Sequence, residues 1–234
     1  MSLLKTLGDN SDPHSLATKM RRRRFAFFLS LLERVKRPVR VLDVGGTREF
    51  WELMGDGIVG ERNLHDVSIT LLNRGTQPTS GKIFESIAGD ARDLSRFDDQ
   101  SFDVVFSNSV IEHLGPEFSS QQLMAEEVRR VGKRYFVQTP NRYFPIEPHF
   151  LTPGFQFFPV SVRVWLVTHF EVGWYRRFSD RSEAEREVTS ISLLTKFQLR
   201  QLFPEAHIHQ EKFGGLTKSF VAYYGWHART FQPL

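Results

Sequence analysis

An alternation of short apolar runs with helix-like segments between residues 39 and 141 constrains the fold most strongly. Five of these runs read as strands, at 39–44, 67–72, 83–88, 102–106 and 134–138. They are almost continuously apolar instead of alternating, which is typical of strands buried on both faces of a parallel sheet. Helix-like segments at 48–54 and 121–131 supply the crossovers. The pattern therefore predicts an α/β fold with helices on both faces of the sheet.

The flanking segments complete one domain over 1–234. An N-terminal helix is predicted over 15–37, capped by Ser15 or Asp12, with the four consecutive arginines 21–24 on a solvated face. The α/β core covers 38–141, and an aromatic and proline-rich insertion or lid covers 142–190. A closing helix at 192–202 and an antiparallel hairpin around Gly214-Gly215 occupy 191–234. Leu123 and Phe197 are predicted to face the core.

Composition excludes several classes of function. The chain has 234 residues, a formal charge of +4 and no cysteine, so it carries neither disulfides nor thiolate metal sites. It needs no oxidising compartment, which favours the cytoplasm. The apolar run after the arginines is short and lacks a cleavage site, so we expect a helix and not an export signal. No window is long and apolar enough to predict a transmembrane segment.

Polar residues cluster where the predicted strands end. Asp43, Gly45 and Gly46 end the first strand, Asn73 the second and Asp90 the third, and 107–109 follow the fourth. In an open parallel sheet the carboxyl ends of the strands form one crevice in which ligands bind. The glycine spacing is not the dinucleotide fingerprint G-x-G-x-x-G. These ends predict a ligand site of another kind.

Four sequence motifs occupy those ends: VLDVGG, AGDARDL, SFDVVFSNSVIEHL and RYFVQTPN. Together they resemble the class I S-adenosylmethionine-dependent methyltransferases, in particular the type 11 small-molecule methyltransferases. The resemblance covers 38–141 well and the closing helix and hairpin more loosely. It implies a Rossmann-like, seven-stranded, mostly parallel sheet with a C-terminal antiparallel hairpin. It also implies S-adenosylmethionine as cofactor and methyl transfer to an O, N or C atom of a small molecule.

The resemblance implies a set of cofactor-binding residues. They are Asp43, Gly45, Gly46, Thr47, Asn73, Arg74, Asp90, Ala91, Ser107, Asn108 and Ser109. Two positions depart from the family pattern. Asn73 stands where an acid usually holds the ribose hydroxyls, and an amide lacks the charge-assisted hydrogen bonds of a carboxylate. Thr47 stands where many members carry a further glycine.

The residues predicted to handle the acceptor lie after strands four and five. His113, Glu147, His149 and Tyr143 are the candidates for catalysis, with the histidines or the acid as general base. The proline-stiffened loop that carries the last three suits a substrate wall. Glu112 joins them as an acid next to His113. No pair has the i, i+4 spacing of a zinc protease, so no metal is predicted.

Three readings of function stay open at this point. The first is methyl transfer to a small molecule. The aromatic insertion suggests that this acceptor is apolar or lipid-like, and the same insertion could instead contact a membrane surface. The second is a non-catalytic cofactor-binding or interaction module on a methyltransferase fold, which Asn73 and Thr47 leave open. The third is nucleic-acid methylation, which the basic helix supports. The tetrapeptide SNSV after strand four argues against base-amine methylation.

Overall fold

The computed structural model describes residues 5–6, 12–54, 66–78 and 83–226. The end of the predicted closing segment, 227–234, lies outside these ranges. Seven strands form one sheet in the order β3-β2-β1-β4-β5-β7-β6. The strands are β1 (Val39–Val44), β2 (Val67–Asn73), β3 (Phe84–Ala88), β4 (Val104–Asn108), β5 (Tyr135–Pro140), β6 (His207–Phe213) and β7 (Leu216–Tyr224). The helices are α1 (Leu16–Leu32), α2 (Arg48–Met54), α3 (Phe118–Val131), α4 (Val160–His169), α5 (Arg181–Ser190) and α6 (Lys196–Leu202).

The sheet is parallel from β1 to β5 and closes with an antiparallel pair. β7 runs antiparallel to both β5 and β6, and the β6–β7 turn contains Gly214 and Gly215, both at positive φ. The predicted Rossmann-like fold class is therefore confirmed. Because β1 lies between β2 and β4, the chain changes direction across the sheet beside β1, where open α/β sheets bind ligands.

One face of the sheet packs against α1 and α2 through aromatic side chains. Phe25 and Phe28 of α1 are buried against Trp51 of α2 and against Phe106 of β4. Ser15 caps α1, as predicted, by accepting a hydrogen bond from the Thr18 amide at 3.0 Å. The other face packs against α3 and α6. Both faces are thus covered, as the continuous apolar strands require.

Two core assignments made from the sequence are wrong. Leu123 of α3 is 49% exposed and Phe197 of α6 is 71% exposed. In α3 the buried stripe runs instead through Met124, Ala125, Val128 and Val131. Helix α6 begins later than predicted, because Thr195 and Gln198 form a capping box at its start.

The segment 142–190 builds a small core of its own. Phe150 and Phe155 stack at 4.2 Å and pack with buried residues of α4 and α5. Helix α5 was not predicted as a separate element, because only Ala184 and Val188 of its ten residues are buried. The outer side of this segment exposes aromatic side chains, including Trp165 at 50%. Within the described part of the chain, no helix combines the length and the apolarity that crossing a membrane would require.

Candidate functional site

A cavity of about 410 Å³ opens at the carboxyl ends of β1 and β4. Eight residues predicted for the site or next to it in sequence line this cavity. They are Asp43, Gly45, Gly46, Thr47, Asn108, Ser109, His113 and His149. Three further lining residues were not predicted from the sequence: Arg21, Phe50 and Trp174.

Asp43 is the most unusual group in the cavity wall. It is fully buried, and its Oδ2 accepts a hydrogen bond from the Trp51 indole at 2.6 Å. Its Oδ1 is buried without a hydrogen-bond partner among the described residues. Burial raises the pKa of Asp43 to about 7, and the Trp51 hydrogen bond opposes this only in part. A buried carboxylate oxygen without a donor is costly, so this site is suited to a ligand that brings a hydrogen-bond donor or a positive charge.

The glycine turn after Asp43 leaves no room for side chains. Gly45 has φ +78°, and a Cβ there would collide with Val110. A Cβ on Gly46 would collide with the Asp43 carboxylate itself. The Asp43 side chain therefore turns back over the loop, and only glycine at position 46 permits this.

Thr47, where many members of the resembling family carry glycine, begins helix α2. Its Oγ1 accepts a hydrogen bond from the Phe50 amide at 3.1 Å, which is the usual role of a threonine at a helix start. The threonine therefore has a local structural role at the end of the glycine turn.

Asn73 fastens β2 to the glycine turn. Its Nδ2 donates to the Gly46 carbonyl at 2.8 Å, across a gap of 27 residues in sequence. This bond leaves the amide oxygen available to a ligand. Asn73 and its neighbour Arg74 do not line the cavity described above.

Asp90 is held by Arg92 at the end of β3. Arg92 Nη2 lies 2.6 Å from Asp90 Oδ2, and Arg92 Nε and its backbone amide both donate to Oδ1. This hydrogen bonding holds the pKa of Asp90 below its ordinary value. Ala91 beside it is buried, and neither residue lines the cavity. A ligand amine that reached Asp90 would share or replace the Arg92 contacts.

The last two residues of β4, Ser107 and Asn108, and the following Ser109 are fixed by hydrogen bonds inside the protein. Ser107 is buried and donates to the Val44 carbonyl at 3.1 Å. Asn108 Oδ1 accepts from Arg24 Nη1 at 2.6 Å, and Ser109 donates to Gln138 at 2.8 Å. Ser109 has φ +56°, which turns the chain sharply at the cavity wall.

Two histidines meet at the floor of the cavity, although 36 residues separate them. Their Nε2 atoms lie 3.1 Å apart, and their rings are perpendicular. His149 Nδ1 lies 2.7 Å from Oε1 of the buried Glu147. The other oxygen of Glu147 accepts from the backbone amides of His149 and Phe150. Glu147, His149 and His113 thus form a connected chain of three predicted residues.

The two imidazoles have opposite electrostatic environments. Burial, and then the charge of His149, lowers the pKa of His113 to about 4. Burial also opposes the charged ring of His149, but the hydrogen bond and negative charge of Glu147 outweigh it, so the pKa of His149 lies above its ordinary value. A proton on the pair is therefore held by His149 beside Glu147.

Glu112 lies behind the histidine pair and is fully buried. Its Oε2 accepts from Thr139 Oγ1 at 2.9 Å, whereas Oε1 has no partner among the described residues. Burial raises its pKa, with His149 and Thr139 opposing. Glu112, His113 and His149 each offer one ligand atom, all within 4.8 Å of one another. These donors suit a transition metal such as zinc.

Tyr143 lies apart from this cluster. Its side chain is 67% exposed and stacks on Phe157 at 6.3 Å between ring centroids. It does not line the cavity. Its role in the site stays a prediction.

The four arginines of α1 do not all lie on a solvated face, so that prediction is wrong. Arg23 is exposed, but Arg24 is only 7% exposed. Arg24 pairs with Glu211 of β6 at 2.7 Å and holds Asn108 as described, while Arg21 lines the cavity. The signal was available, because Arg21 and Arg24 share helical spacing with Phe25 and Phe28 on the buried stripe.

A family model matches the segment that carries the glycine turn and strands β1 to β4. Residues 39–135 match the family model described as a methyltransferase domain. A search of curated proteins found no match.

Among solved structures, the chain is similar to a protein of Haloferax volcanii described as the methyltransferase in complex with the Trm112 methyltransferase activator. The two are 15% identical, with a TM-score of 0.51 over 92% of this chain and 94% of that one. It is also similar to the methyltransferase domain of bacterial CtHen1-C, at 14% identity and a TM-score of 0.50 over 87% and 97% of the two chains. The CurJ carbon methyltransferase is 13% identical, with a TM-score of 0.52 over 90% and 55%. At such identities these likenesses show the fold.

Proposed function

We propose that this chain is a class I S-adenosylmethionine-dependent methyltransferase, which binds S-adenosylmethionine and methylates a small molecule. Its fold and the match of residues 39–135 to a methyltransferase-domain model support the proposal. The observation that carries the proposal is the buried Asp43 carboxylate. One of its oxygens lacks a partner beside a glycine turn that opens into a cavity of about 410 Å³. The methionine end of the cofactor carries an ammonium group, which would supply the missing donor.

The predicted residues fit the rest of the cofactor. Gly45 and Gly46 leave the backbone bare where the methionine end would lie. The free amide oxygen of Asn73 would accept from a ribose hydroxyl, and Asp90 would accept from the adenine amine. The remaining proposed contacts are Thr47, Arg74, Ala91, Ser107, Asn108 and Ser109. When bound, the cofactor supplies a methyl group activated on a sulfonium.

The histidine pair would serve as the general base. The pair can act as a base only after His149 has lost the proton that Glu147 favours. In that neutral state His149 would donate Nδ1–H to Glu147 and accept from His113 Nε2–H, which leaves His113 Nδ1 free to take a proton. That nitrogen would take the proton that an acceptor O–H or N–H loses when it receives the methyl group supplied by the bound cofactor. His113 then passes its other proton to His149, where Glu147 stabilises the charge. Tyr143, on the same loop as Glu147 and His149, is proposed as an outer acceptor contact.

A protein partner is a second candidate for function, alone or with catalysis. The Haloferax volcanii protein of similar fold is described in complex with an activator. In this chain the Asp90 side chain is already engaged by Arg92 and the Asn73 amide by Gly46. A non-catalytic module would keep such internal bonds and bind a partner without the cofactor.

Calorimetric titration with S-adenosylhomocysteine separates these proposals. We expect dissociation constants in roughly the micromolar range for the wild type. Asp43→Asn should weaken binding at least about tenfold, because it removes the charge but leaves an acceptor for Trp51. Asp98→Ala, at an exposed acid on a loop, should bind like the wild type. Absence of wild-type binding, with the chain folded, would refute the methyltransferase proposal and favour the interaction module.

A chelator distinguishes the base from a metal. Proton transfer through the histidine pair needs no ion, so we expect methyl transfer to withstand EDTA. If EDTA abolished activity and Zn²⁺ or Mn²⁺ restored it, Glu112, His113 and His149 would be metal ligands and the base mechanism would be wrong.

A further inference from the structure

A second cavity lies beside the first and is mostly apolar. It has a volume of about 180 Å³ and lies between α1, the loop after β5 and the β6–β7 hairpin. Its apolar walls include Met20 of α1, Phe144 and Ile146 of the loop, and Phe213 of β6. Arg21, Ser109, Pro140 and Pro148 line both cavities. A molecule in the second cavity would therefore reach the first.

Positive charge exceeds negative charge around this apolar cavity. Arg21, Arg24 and Lys218 line it, and Glu211 is the acid next to them. Both oxygens of Glu211 accept from Arg24 Nε at 2.9 Å, and Oε2 accepts in addition from Ser219. The donors of Arg24 and Ser219 thus already occupy both oxygens of the Glu211 carboxylate.

Within the described part of the chain, neither Arg21 nor Lys218 forms an ion pair with a carboxylate at contact distance, although Glu211 lies near Lys218. The polar contact recorded for the Lys218 ammonium is the Met20 sulfur at 3.8 Å, and a thioether is a weak acceptor. Two partly buried cations without an ion-pair partner in a pocket lined by apolar side chains are unfavourable unless a ligand compensates them.

The pKa values of these groups agree with that geometry. Burial lowers the pKa of Lys218 to about 8, and the charges of Arg24 and Arg21 add to the effect while Glu211 opposes it. Burial and then Arg24 lower the pKa of Arg21 to about 10. Each cation is thus destabilised by its surroundings as they stand.

We propose that the second cavity binds the methyl acceptor, and that the acceptor is a small, partly apolar acid whose carboxylate or phosphate pairs with Arg21 and Lys218. The inference rests on the proposed function and adds the acceptor class to it. The apolar part would lie against Met20, Phe144 and Ile146. The cavity is smaller than the roughly 300 to 1,000 Å³ of drug-sized sites, so a short chain or a single ring is the size that fits. The nucleophile would extend past Arg21 toward His113.

The test is calorimetry on the full chain saturated with S-adenosylhomocysteine, with hexanoate, hexyl phosphate and hexanamide as probes. We expect one of the two anions to bind at least about tenfold more tightly than the neutral amide. Which anion binds better identifies the acidic group. Equal binding of anion and amide would overturn the inference and leave an apolar pocket.

Variants assign the effect to the two cations. Lys218→Met and Arg21→Met should remove the preference for the anion, whereas Lys218→Arg should retain it. The matched controls are Lys212→Met on the same hairpin and Arg23→Met on the same helix, both exposed, and both should bind like the wild type. Anion preference that survives in Lys218→Met and Arg21→Met would refute the site.

The two proposals fail in different ways. If S-adenosylhomocysteine binds but no anion does, the acceptor inference is wrong and the methyltransferase proposal stands. If hexanoate binds the chain alone but S-adenosylhomocysteine does not, the methyltransferase proposal is wrong, and the pocket cannot be an acceptor site.

Discussion

The edge of the sheet formed by the carboxyl ends of its strands has two differently built sides. One side carries the glycine turn, and the other holds the histidines and the cations. On the glycine-turn side, Asp43 contacts Trp51 and Thr47 contacts Phe50, within eight residues in sequence. On the other side, Arg24 contacts Glu211 across 187 residues and Lys218 contacts Met20 across 198. The first side is therefore specified locally, and the second depends on the assembled fold. This difference determines which changes should be severe and which should be selective.

Gly46→Ala should have the largest effect, because it acts on the locally specified side. The added methyl group would collide with the buried Asp43 carboxylate, so the turn or the acid must move. We expect loss of S-adenosylhomocysteine binding by at least about a hundredfold, together with a lower melting temperature. Gly75→Ala is the matched control, since a Cβ there meets nothing within 4 Å. Equal binding by the two variants would contradict the tight packing of the turn.

Glu147→Gln tests the side that holds the histidines, which depends on contacts between residues far apart in sequence. The substitution removes the charge that favours protonated His149, so the pKa of His149 should fall. The pKa of His113 should rise, since the positive charge of His149 contributes to lowering it. Histidine titrations by NMR measure both shifts. Glu185→Gln, at an exposed position of α5, should change neither, and unchanged values in Glu147→Gln would break the proposed proton path.

Asp43→Asn tests the glycine-turn side, because the buried Asp43 should make the free energy of unfolding depend on pH in the wild type and not in the variant. The folded pKa of Asp43, about 7, lies above the ordinary aspartate pKa of 3.8, so between these values the folded state binds more protons than the unfolded state. The contribution of Asp43 to stability is therefore complete below about pH 4 and is lost as the pH rises through about 7. The loss should be on the order of a few kcal/mol. Denaturant unfolding at several pH values should show this slope in the wild type and not in Asp43→Asn.

Arg92→Ala should have the smallest effect. It frees both oxygens of Asp90 from a partly exposed ion pair, and such pairs contribute about 1 kcal/mol or less to stability. If the adenine amine competes with Arg92 for Asp90, the variant should bind S-adenosylhomocysteine a few-fold more tightly. Weaker binding would mean that Arg92 orients Asp90 and does not compete with the ligand.

The contrast between the two sides also explains what could be predicted from the sequence. The strands, the fold class and the Ser15 cap follow from local apolar patterns and cap chemistry, and the structure has them. The strand-end rule placed Asn73 and Asp90 at the correct edge, but their bonds to Gly46 and Arg92 depend on how neighbouring turns pack. The helical spacing of Arg24 from Phe28 indicated that it is buried, but its partner Glu211 could not be identified from local sequence, because that residue lies on a strand at the far end of the chain. Helix α5 was missed because it buries too few side chains to show a period.

The segment that matches the family model runs from residue 39 to residue 135. Four residues of the proposed acceptor side lie outside it: Arg21, Lys218, Glu147 and His149. The matched segment contains the turn proposed to hold the methyl donor. The groups proposed to select the acceptor lie in the flanks before and after that segment. During divergence those flanks can change independently of the glycine turn. Proteins that share only the central segment are therefore expected to share a donor and to differ in acceptor. If the proposed acceptor site is right, relatives with the same acceptor are expected to preserve the cations of α1 and β7.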